Sequence, residues 1–97
     1  MNQPWPFDQA ENVAALTTKQ VVKENKPILS VVHYSDDHSW AFTCGTTNES
    51  DHLMVVGLGC LLALDATLTE IADLLPGWGA DRAAVGAKWH RYESNDF

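Results

Sequence analysis

His33, Asp36, Asp37 and His38 form the most chemically equipped cluster in this chain. Two imidazoles and two carboxylates within six positions are the donor types that bind zinc or a similar borderline cation. The spacing argues against a tidy site. Residues 28–45 alternate like a β-hairpin, which sends His33 to the apolar face and the tip carboxylates toward water. Asp-Asp in a short turn has its own explanation, because each side chain can bond the nearby backbone. The reading is therefore turn chemistry plus a packed histidine, with no bound metal and no cofactor. A small metal-dependent enzyme built on these four residues is the competing reading. His52 and His90 are ordinary, partly exposed histidines with no sequence link to the tip.

Other reactive side chains carry less. Neither Cys44 nor Cys60 neighbours a Lys or Arg that would favour the thiolate, so both are expected as small core residues. Gly57-Leu58-Gly59 lacks the third glycine and the basic residue of a phosphate-binding turn. The serines lack a Gly-x-Ser-x-Gly setting. No catalytic residue is assigned, and an enzyme is not expected.

The hairpin is the element that positions the tip. Leu29, Val31 and His33 alternate with Ser30, Val32 and Tyr34. After the turn, Trp40, Phe42 and Cys44 alternate with Ser39, Ala41 and Thr43. Pairing Tyr34 with Ser39 sets His33 against Trp40, Val31 against Phe42 and Leu29 against Cys44, all on one face. A slip of one residue would scatter the aromatics.

Before the hairpin, Val13–Thr17 reads as a short strand and Thr18–Glu24 as a helical turn. A single helix over this region, capped by Asp8, is the alternative. Residues 1–7 form an extended arm that Trp5 and Phe7 can pin to the body. After a polar loop, Met54-Val55-Val56 suits a buried strand that turns at Gly57 or Gly59 into a helical segment. Thr67–Leu75 carries a Thr67–Glu70 capping box and an apolar face of Leu68, Ile71, Ala72 and Leu75, and Pro76-Gly77 stops it. Residues 78–82 then suit a closing edge strand, Ala83–Tyr92 docks, and residues 94–97 fray. The expectation is one α+β domain over residues 1–97: a small, mostly antiparallel sheet built on the 28–45 hairpin, packed against one or two short helices. Trp40 belongs to its core, while Trp5, Trp78 and Trp89 seal that core in preference to anchoring a partner.

Composition narrows the function classes. The 97 residues carry a net charge of −7, and from Pro27 to Asp81 there is no Lys or Arg. The same stretch holds Asp36, Asp37, Glu49, Asp51, Asp65, Glu70, Asp73 and Asp81. Nucleic acid and anionic membrane surfaces both require cations, so neither is an expected partner. The apolar run Leu53–Leu64 is too short to span a bilayer. With two cysteines and no signal-peptide pattern at Met1, a cytoplasmic protein with reduced thiols is predicted.

The order of these motifs resembles a family of short bacterial proteins of unknown function, some of which are assigned as immunity proteins of polymorphic toxin systems. The likeness spans roughly residues 13–82. Leu16-Thr17-Thr18 and Ser39-Trp40-Ala41-Phe42-Thr43-Cys44-Gly45 carry it, followed by Asp65-x-x-Leu68, Leu74-Leu75, Gly77 and Arg82. Thr46-Thr47-Asn48-Glu49 stands where the family has an acidic run, and Leu64 where it has an asparagine. The resemblance implies a compact α+β fold and a binding role. The sequence thus points to a non-enzymatic protein-binding module, immunity-like, that offers Asp36, Asp37, Glu49 and Asp51 to a basic protein partner. A monomer or weak homodimer is the expected state, and a structural homodimer joined by an open sheet edge is a third reading of the function.

Overall fold

The computed structural model describes residue 7 and residues 13–36, 38–44 and 53–93. Strand β1 (Ala14–Thr18) runs directly into helix α1 (Lys19–Glu24). The switch occurs at Thr18, whose extended backbone and hydroxyl cap the helix by accepting from the Val21 N–H. Asn25 ends the helix in the left-handed region, at φ 57°, which its short polar side chain tolerates. The strand-plus-turn reading of this region therefore holds.

Strands β2 (Ser30–His33) and β3 (Trp40–Thr43) form the expected hairpin, with His33 opposite Trp40 and Val31 opposite Phe42. Tyr34 N–H closes it on Ser39 C=O at 2.8 Å. Strand β4 (Leu53–Gly57) turns at Gly57 into helix α2 (Leu58–Leu64). A 3-10 helix (Ala66–Ile71), strand β5 (Trp78–Asp81) and strand β6 (His90–Glu93) complete the described chain.

The strands form one six-stranded sheet in the order β4-β1-β3-β2-β5-β6, antiparallel except for β1 beside β3. Its register aligns the core-facing residues in rows. His33 lies between Trp40 and Trp78, and Val31 between Phe42 and Ala80. On the other face, one apolar row crosses every strand: Tyr92, Gly79, Val32, Ala41, Leu16 and Val55. The Tyr92 ring lies so close over Gly79 that a Cβ there would sit 2.6 Å from it.

The helical segments contribute Val21, Leu58, Leu61, Leu68 and Ile71 to a core shared with Val31, Trp40, Phe42 and Ala80. Phe7 is buried and meets Trp40 edge-on at 5.1 Å. The rest of the expected arm, residues 1–6 with Trp5, and residues 94–97 lie outside the described residues. Among the described residues, no helix is long and apolar enough to cross a membrane.

Five expectations need correction. Residues 78–81 are not an edge strand, because β6 pairs beyond them and takes the edge. Strand β4 is not buried: among the described residues it is the opposite edge, with Val55 63% exposed. The Thr67–Leu75 helix is a 3-10 helix over 66–71, and its cap is Asp65, which accepts from the Thr67 N–H at 2.9 Å. Of the expected apolar face, Leu68 and Ile71 are in the core and Ala72 packs against it, but Leu75 is 62% exposed and Leu74 is buried instead. Cys44 is buried as expected but Cys60 is exposed, on the outward side of α2.

Candidate functional site

The hairpin turns through residues 34–39, and Asp36 and His38 are both exposed there. His38 takes φ 59°, a left-handed turn position. Asp37, Glu49 and Asp51 lie outside the described residues, so Asp36 is the one proposed partner-binding residue whose place is described. The tip does not stand alone. The Gly77 N–H donates to His33 C=O at 2.7 Å, and Ser35 lies beside Gly77. The Pro76-Gly77 turn is thereby held against the base of the tip. On either side of this turn are exposed Leu75 and half-buried Trp78. With Asp73, Leu74 and Arg91 they line an open cleft of about 360 Å³. Arg91 bridges Asp73 at 2.9 Å and also donates to Glu70 C=O.

His33 belongs to the interior and not to the tip. Its ring stacks on Trp40 with centroids 3.9 Å apart, and Nδ1 lies 2.7 Å from Leu74 C=O. Against a carbonyl, Nδ1 is the donor. Nε2 is buried without a hydrogen-bond partner. The His38 ring is 6.1 Å away in an edge-on arrangement. Among the described residues, no three His, Cys, Asp or Glu side chains converge as metal ligands.

A second polar centre was not expected from local pattern. Arg82 follows β5 and is buried. Its Nη2 donates to Asp65 Oδ2 at 2.7 Å and to Ile28 C=O at 2.9 Å; Nε also donates to Ile28 C=O, and Nη1 to Thr67 Oγ1. Trp89 covers the guanidinium at 4.2 Å and donates its own N–H to Glu70. Burial alone would push the Asp65 carboxyl up. The bonds from Thr67 and Arg82, with the arginine's charge, outweigh this and hold it below the ordinary aspartate range. Each nitrogen of this arginine thus has a structural employer. It ties the entry to β2, the start of the 3-10 helix and the β5–β6 connection into one joint.

Beside the joint is a smaller open cleft of about 260 Å³, walled by Val21, Ile28, Leu64 and Val85 with Lys26 and Asp65 at its rim. That is below the usual size of a small-molecule pocket.

The acidic residues from 27 to 81 are not gathered into one patch among the described residues. Asp65 is taken up by Arg82, and Asp73 by Arg91. Asp36 is at the tip, whereas Asp81 pairs with Ser30 at the far end of β5 and β2. The apolar surface beside the tip, Leu75 and Trp78, was missed by sequence pattern. Its signal was a leucine set directly before Pro76-Gly77, where a helix can no longer turn it inward. Comparison with protein-family models, curated proteins and solved structures returns no match.

Proposed function

We propose that this chain is a non-enzymatic protein-binding module that takes a basic protein partner at the hairpin-tip end, in the manner of an immunity protein. The observation that carries the reading is the pairing, at that end, of exposed Asp36 with exposed Leu75 and the Trp78-lined cleft. Protein interfaces have this composition: an aromatic and aliphatic centre holds the partner, and a charged rim steers it in. A net charge of −7 adds long-range attraction for a cationic surface and repels nucleic acid. In this reading, Asp37, Glu49 and Asp51 add negative charge that attracts the same partner.

The test is binding kinetics against the product of a fixed neighbouring gene, or against a protein captured from the native cell and identified. Converting Asp36, Asp37, Glu49 and Asp51 to Asn or Gln is expected to slow association and flatten its salt dependence. Leu75→Ala is expected to speed dissociation. A partner whose on-rate ignores both salt and the four substitutions rules out the acidic rim.

A further inference from the structure

The two edges of the sheet are unlike. Edge strand β6 carries His90, Arg91 and Glu93, the charged residues that normally keep an open edge from pairing. Edge strand β4 is Leu-Met-Val-Val-Gly, with no charge and no proline. Among the described residues it has a neighbour, β1, on one side only. Leu53 is 43% exposed and Val55 63%. Helix α2, which continues from β4, has no polar side chain at all. It buries Leu58 and Leu61 but leaves Cys60, Ala63 and Leu64 exposed. A helix that is apolar all round belongs in an interior, and this one has only half of one.

We infer that β4 is a self-association seam at which two copies of this chain join their sheets antiparallel. Charge selects the occupant. Each copy carries −7, so two copies repel one another overall, and they meet at least cost across a surface that is itself uncharged, as Leu53–Leu64 is. A basic partner gains nothing from it. The strand is also self-complementary. Val55 is its central residue, and a two-fold axis through Val55 sets Leu53 against Gly57 of the other copy, large against small. That axis stands perpendicular to the sheet, because antiparallel neighbours in one continuous sheet are related that way. Both α2 helices then lie on the same face of the joined sheet, one on each side of the seam, and each brings exposed apolar residues to that face. The apolar row ending at Val55 becomes continuous across both copies.

Sedimentation of the full chain from micromolar to submillimolar concentration tests this. A monomer–dimer equilibrium is expected, and it should tighten as salt screens the repulsion between like-charged copies. That sign is opposite to the one expected for capture of a basic partner, so the two proposals fail separately. Val55→Lys is expected to raise the dissociation constant by at least about tenfold, since it places two cations face to face on the axis. Leu53→Lys should act in the same direction. Should either variant unfold, hydrogen exchange of the unaltered chain decides: β4 amides should gain protection with rising concentration. A chain that stays monomeric throughout overturns the inference. So does a dimer that survives both lysines, one broken by Leu64→Lys but not by Val55→Lys, or β4 exchange that ignores concentration.

Discussion

The wholly buried guanidinium of Arg82 meets the Asp65 carboxylate at 2.7 Å, joining the end of β5 to the cap of the 3-10 helix. The same carboxylate accepts from the Thr67 N–H, so a single aspartate both starts the helix and neutralises the arginine. Arg82→Met leaves Asp65 Oδ2 and Ile28 C=O without their donors. It should cost about 3–5 kcal/mol, the range for removing one member of a buried ion pair. Denaturant unfolding measures it, and a loss below about 1 kcal/mol would show that the joint is not structural.

Acid should weaken the same joint. The folded-state carboxyl of Asp65 titrates below its unfolded counterpart. Its contribution is therefore complete above the unfolded aspartate value and disappears as pH falls through the lower, folded one. Below about pH 4, the ordinary aspartate value, Asp65→Asn should lose stability with pH less steeply than the unaltered chain. Parallel slopes in acid denaturation would contradict the assignment.

Trp40 is 2% exposed, stacked between His33 and Phe42 and met edge-on by Phe7. Trp40→Ala removes the ring on which all three rest, and a loss of about 3–5 kcal/mol is expected. Trp40→Phe should recover part of it. An unfolding midpoint near that of the unaltered protein for Trp40→Ala would mean that the hairpin face is not the core.

Tyr92 reports on the opposite face. Burial over Gly79, then the nearby charge of Asp81, push its phenol above the ordinary tyrosine value. Gly79→Ala drives a methyl group into the ring and should displace it toward water. The Tyr92 phenol should then titrate closer to normal in an alkaline absorbance titration, with Tyr34→Phe present to remove the second tyrosine. An unchanged titration would show that the ring does not rest on Gly79.

What was legible in the sequence was local. The alternation Val31/His33 and Trp40/Phe42 determined the hairpin register, because a shift of one residue would move every aromatic to the wrong face. Thr18 marked one strand-to-helix turn through its cap, which acts over three residues, and of the two glycines that could mark the other, Gly57 stands at the turn. The 3-10 helix shows the limit of that reach. Thr67 and Glu70 matched a capping box, but Asp65, two residues earlier, took the cap because Arg82 holds its other oxygen.

Only the tertiary structure decided the rest. Period-two alternation says which residues share a face. It does not say which strand lies beside it or whether anything covers that face. So the parallel insertion of β1 beside β3, the interior position of β5 and the exposure of Val55 and Cys60 could not be read from pattern. Arg82 and Asp65 are 17 positions apart, and Arg82 and Ile28 are 54 apart. Their contact depends on a chain reversal through β5, which no local preference encodes. A long apolar run such as Leu53–Leu64 looks the same whether it is buried by its own chain or left at an edge. Among the described residues, the sheet order places its first five residues, β4, at the edge beside β1 alone, while α2 turns Leu58 and Leu61 into the core.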